Sequence, residues 1–72
     1  MKELYKIKVS GRVGCGKTTK AWEIFEEREA AGLSTVLVDD GKVRGIYRGA
    51  NPDYVTVETA LEGYELTVTE VQ

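Results

Sequence analysis

Apolar and polar residues alternate across residues 4–9, with Tyr5, Ile7 and Val9 on one face and Leu4, Lys6 and Lys8 on the other. That period reads as a strand. Residues 10–16 carry three glycines and read as a loop. Residues 17–31 hold no Pro or Gly and are stopped by Gly32, which predicts a helix. At about 100° per residue, Ala21, Trp22, Ile24, Phe25 and Ala31 share one face, and Lys20, Glu23, Glu26 and Glu27 lie opposite. Arg28 falls inside the apolar arc. It either snorkels at the rim or meets another chain. Residues 35–38 are a short apolar run of β-formers, the mark of a buried parallel strand. Asp39-Asp40-Gly41 ends it, and residues 42–52, with Gly45, Gly49, Asn51 and Pro52, read as a loop. Residues 54–58 alternate again, as do residues 64–71. The segment between them, 59–63, fits a tight connection or one helical turn, and a hairpin is the favoured reading.

The expected fold is α/β: one two-layer domain over residues 1–72, built as strand, glycine loop, long helix, parallel strand, then a C-terminal pair of strands in a mixed sheet. In a doubly wound fold the first strand is buried on both faces. Lys6 and Lys8 on one face of this one argue instead for a single helical layer and an open sheet face.

Composition narrows the picture. Seventy-two residues make one small domain, and a net charge of −2 argues against a general nucleic-acid binder. No apolar run approaches the roughly 18 residues of a membrane span. The charged start at residues 1–6 is no signal peptide. A lone cysteine forms no internal disulfide, which suits a cytoplasmic setting. With no disulfide and no His, a chain this short is marginal or helped by a partner subunit. The charge is unevenly spread. Residues 1–20 hold Lys2, Lys6, Lys8, Arg12, Lys17 and Lys20 against Glu3 alone, a local +5, and the rest carries −7. The positive end coincides with the glycines, which suggests an anion there.

Gly11-Arg12-Val13-Gly14-Cys15-Gly16-Lys17-Thr18 matches the phosphate-binding pattern G-x-x-x-x-G-K-[ST] in full. Each part has a task. The glycines let successive N–H groups turn inward. Those donors and the positive end of the next helix cradle a β-phosphate. Lys17 would reach the β- and γ-phosphates, the Thr18 hydroxyl would ligate Mg²⁺, and Thr19 would lie near the α-phosphate. The setting of strand, glycine loop and helix is the one the motif requires.

At these residues the chain resembles the P-loop NTPase superfamily, with a Walker A loop. Residues 9–47 further resemble the front half of a small-molecule kinase of the adenylylsulfate-kinase type. Such kinases carry a strand ending in Asp-Gly and, shortly after, an arginine that holds the substrate. Asp39, Asp40, Gly41 and Arg44 match that pattern. The resemblance implies Asp40 near the Mg²⁺ and the acceptor, and Arg44 near an acceptor anion. In several P-loop families a strand like residues 51–59 ends in an acid that holds a metal-bound water, which here would be Glu58. The resemblance covers roughly residues 4–48. Those kinases continue with a lid, an adenine pocket and further strands, for which 72 residues have no room. In length and layout the chain also resembles small P-loop proteins of bacteriophages.

The other side chains add less. Trp22 belongs to the apolar arc, while Tyr47 and Tyr54 flank the long loop, where each would stack on a base or pack on the sheet. Cys15 has no His partner and is not expected to be a catalytic thiol. Arg12, Arg44 and Arg48 are candidates to stabilise phosphate charge, in one chain or across a dimer. The leading expectation is a binder of ATP, another nucleoside triphosphate or a polyphosphate, with Mg²⁺ and little or no turnover alone. Two alternatives stay open. One is a minimal NTPase or phosphotransferase, catalysed by Lys17, Asp40 and Glu58 and active as a homodimer or larger oligomer. The other is a phage-type protein in the host cytoplasm that binds a host protein or sequesters nucleotides.

Overall fold

Strand β1, Lys6–Ser10, buries Ile7 and Val9 and leaves Lys6 exposed, as its alternation requires. A computed structural model of the chain describes residues 6–61 and 65–71. Leu4, Tyr5, Glu62, Gly63 and Tyr64, parts of the expected first strand and C-terminal pair, lie outside the described residues. Helix α1, Lys17–Ala30, runs without Pro or Gly. It stops at Gly32, whose φ of 75° is left-handed. There the Gly32 N–H donates to Glu29 O at 2.9 Å and the Leu33 N–H to Arg28 O at 3.0 Å, closing the last carbonyls of the helix. The remaining strands are β2, Thr35–Asp39; β3, Lys42–Tyr47; β4, Val55–Ala60; and β5, Thr67–Val71.

The described residues form a small α/β domain, one helix on a five-stranded mixed sheet of order β3-β2-β4-β1-β5. β1, β4 and β2 are parallel neighbours; β3 pairs antiparallel with β2, and β5 with β1. α1 packs on β2, β4 and β1. The core between the two layers is Ile7, Val9, Ala21, Phe25, Leu37 and Val57, with Trp22 and Ile24 half-buried beside it. Phe25 and Trp22 meet edge to face at 5.4 Å. Gly45 on β3 makes room for them, since a Cβ there would sit 3.2 Å from the Trp22 ring and 3.3 Å from that of Phe25. Arg28 is used inside the chain: its Nε donates to the fully buried Thr35 hydroxyl at 3.0 Å.

Among the described residues no helix covers the other sheet face, the one that carries Lys6 and Lys8. Lys8 stands level with Glu58, and Lys6 pairs with Glu58 at 3.1 Å. Val43 and Ile46 on β3 are exposed. No helix among the described residues is long and apolar enough to cross a membrane.

Two expectations need correcting. Residues 42–47 are strand β3, not loop. Asp40 and Gly41 form a two-residue turn with φ of 53° and 72°, positive at both positions. That is the primed turn Asp-Gly favours, and its twist pairs β3 with β2. The hairpin of the last two strands is not formed either, because β4 and β5 lie on opposite sides of β1. β4 instead enters between β1 and β2, where Val57 becomes fully buried among Ile7, Val9 and Leu37. A hairpin at the sheet edge would have left that valine half in water. The segment before β4 is fastened by buried Ser34, whose hydroxyl donates to Asn51 O and accepts from the Gly49 N–H.

A glycine loop facing a two-strand carboxylate

The site lies where β1, β2 and β4 end, at the crevice beyond the carboxyl ends of parallel strands. β1 stops at Ser10 and the chain turns through residues 11–16 into α1. Gly11 is held down by its N–H bond to Ala60 O at 3.3 Å. A Cβ at Gly11 would meet Cys15 Sγ and come within 3.3 Å of Glu65 O, so glycine lets the strands and loop close up here without a shift of either. The Cys15 N–H closes a tight turn onto Arg12 O at 3.2 Å. Gly16 then takes φ 88° and caps the helix with no side chain, and α1 has no acid in its first turn. The first N–H groups of a helix have no partner within it. Here neither a capping side chain nor a local carboxylate takes their place.

Four side chains, those of Lys17, Thr18, Asp39 and Thr59, converge on this end. The Lys17 ammonium reaches back across the loop and donates to Gly11 O at 3.2 Å. The Thr18 hydroxyl lies 3.4 Å from both carboxylate oxygens of Asp39, at the end of β2. The buried Thr59 of β4 donates to Asp39 Oδ1 at 2.8 Å and accepts from the Asp40 N–H at 3.2 Å. These groups border an open cavity of about 580 Å³. Val13, Gly14 and Gly16 line it from the loop, and Ala60 and Leu61 from the end of β4.

Of the residues singled out from the sequence, Val13, Gly14, Gly16, Lys17, Thr18 and Asp40 border the cavity. Gly11, buried, and Cys15, half-buried, are not among the residues that border it. Arg12 and Thr19 are exposed beside it. Arg44 is exposed on the edge strand β3, at an irregularity in its pairing with β2. Glu58 is on the open face with Lys6. Asp40 borders the cavity from the turn, but the carboxylate that Thr18 meets is that of Asp39. Asp39 and Thr59 were not among the expected site residues. Strand parity would have found both: Leu37 and Val57 face the helix, and the residue two further on in each strand shares that face.

Among the described residues no group of three or more His, Cys, Asp or Glu is placed to hold a metal. A cation here would need oxygens from a ligand and from water. Thr18 and Asp39 offer two hard oxygens side by side. That donor set fits Mg²⁺, which takes one or two carboxylates and completes its shell with water and phosphate.

Compared with known proteins, the chain matches no family model, no curated protein and no solved structure.

Proposed function

We propose that the chain binds a nucleoside triphosphate or another polyphosphate with Mg²⁺ at residues 11–18, with little or no turnover by itself. The reading would make it a minimal P-loop domain, and its single cysteine suits a reducing compartment such as cytoplasm. One observation carries it: directly after the glycine loop, the Thr18 hydroxyl faces the Asp39 carboxylate beside Lys17 and an uncapped helix start. A hydroxyl whose proton points to a carboxylate keeps its lone pairs for a cation. The helix end and Lys17 would take the phosphate charge. Mg²⁺, when bound, would neutralise phosphate oxygens. Thr18 and Asp39 would hold it from the protein side, and Asp40 would meet whatever lies beyond the terminal phosphate. Slow turnover is supported by the position of Glu58, which pairs with Lys6 instead of bordering the cavity. Arg44 and Arg48 do not border it either.

Calorimetric titration with ATP, GTP and pyrophosphate, with and without Mg²⁺, tests the reading. Lys17→Ala removes charge-assisted contacts worth about 1.5–3 kcal/mol, so affinity should fall about 10- to 150-fold. The Lys17–Gly11 bond it also removes is half-exposed, so the circular dichroism spectrum should be retained. Equal affinities for wild type and variant would sink the proposal.

A further inference from the structure

Resting on that polyphosphate reading, we propose that Thr59 is a positioning residue that aims Asp39 at the cation, so that the carboxylate site is built from two neighbouring strands. Asp39 ends β2, and Thr59 stands one residue before the end of β4, the parallel neighbour of β2. The Thr59 hydroxyl donates to Asp39 Oδ1 at 2.8 Å, the shortest contact that oxygen makes. Oδ2 meets only the Thr18 hydroxyl, at 3.4 Å, among the described residues. One carboxylate oxygen is therefore anchored while the other is left to the Thr18 hydroxyl, on a residue that borders the cavity. The anchor is itself fixed, because Thr59 is 8% exposed and its oxygen accepts the Asp40 N–H at 3.2 Å. That second bond holds the turn after Asp39, so a single hydroxyl orients both the side chain and the backbone that carries it.

The arrangement compensates for Glu58. The acid of β4 lies on the open face with Lys6, so β4 brings no carboxylate to the cavity. It brings a hydroxyl that orients the carboxylate of the next strand. Outer partners of this kind, when removed, typically cost about 10- to 100-fold in metal affinity.

The test compares pyrophosphate affinity with and without Mg²⁺ in wild type, Thr59→Val and Thr59→Ser, each confirmed as folded by circular dichroism. The readout is the ratio of the two affinities. Thr59→Val keeps the shape and removes the hydroxyl, and should cut the Mg²⁺ enhancement about tenfold or more. Thr59→Ser keeps the hydroxyl and should hold the enhancement within about threefold of wild type. An unchanged ratio in Thr59→Val overturns the inference, and so does an equal loss with and without Mg²⁺, which marks a purely structural role. Pyrophosphate binding that is indifferent to Mg²⁺ in wild type overturns it while leaving the phosphate loop standing. No pyrophosphate binding in wild type takes down both.

Discussion

Replacing Phe25 with alanine should remove about a third or more of the stability of this domain. Phe25 is 5% exposed and is the largest of the six side chains that form the core. It meets Trp22 edge to face at 5.4 Å and roofs Gly45 of the edge strand, so its ring joins α1 to β3 as well as to the central strands. Truncating a buried Phe costs about 3–5 kcal/mol, through lost transfer free energy and the cavity left behind. The upper part of that range applies, because filling the hole would require the helix to move across β2 and β4. A chain of 72 residues, at about 0.05–0.15 kcal/mol per residue, has roughly 4–11 kcal/mol in total. A loss of about 4 kcal/mol is thus between a third and all of it. With a urea slope of about 1 kcal/mol/M, at the low end for small proteins, the midpoint should fall by about 4 M. Urea titrations followed by circular dichroism and by Trp22 fluorescence measure it, with Val13→Ala, at an exposed position, as the control near zero. A midpoint shift under about 1 M for Phe25→Ala would refute the docking of α1 on the sheet through this ring.

Two other outcomes follow from the same framework. Gly49→Ala puts a Cβ into the Gly32 carbonyl and within 2.9 Å of the Leu33 backbone; overpacking of that kind costs about 1–3 kcal/mol and should lower the urea midpoint by a molar or more. Sedimentation at micromolar concentration should give a mass above one chain, because β3 and β5 both end the sheet and Val43 and Ile46 face water; a folded monomer would contradict this.

The fold was legible where local pattern and tertiary role agreed. The period-two alternation around Ile7 and Val9, the uninterrupted helix closed by Gly32, and the open face implied by Lys6 and Lys8 all reappear in the structure. The reading failed at β3 because Gly45 and the charges of Lys42 and Arg44 look like loop chemistry. Their reasons are tertiary: Gly45 is small so that Trp22 and Phe25 fit above it, and the charges lie on an edge strand. Asp40-Gly41 was itself a hairpin signal, overshadowed by the kinase-like reading of the same residues. The position of β4 was not legible, since adjacent strands in sequence give no hint that one of them enters between β1 and β2.

The site divides along the same line. The glycine loop is contiguous, so its residues could be read from spacing alone. Its partners are not contiguous. Asp39 and Asp40 are adjacent acids, and composition cannot say which one turns toward Thr18. Parity can, once the helix-facing side is known. Thr35, Leu37 and Asp39 alternate on one side of β2, and Val57 and Thr59 on the same side of β4. Asp40, in contrast, is already past the strand in a turn with φ 53°. The same parity puts Glu58 on the open face, where Lys6 meets it. One geometric fact therefore selects Asp39 over Asp40 and Thr59 over Glu58. It also explains why a hydroxyl, and not a second acid, stands beside the carboxylate. Two carboxylates sharing the helix side at that distance would repel in a half-buried setting. A threonine there donates to Asp39 Oδ1 and leaves a single negative charge facing the Thr18 hydroxyl.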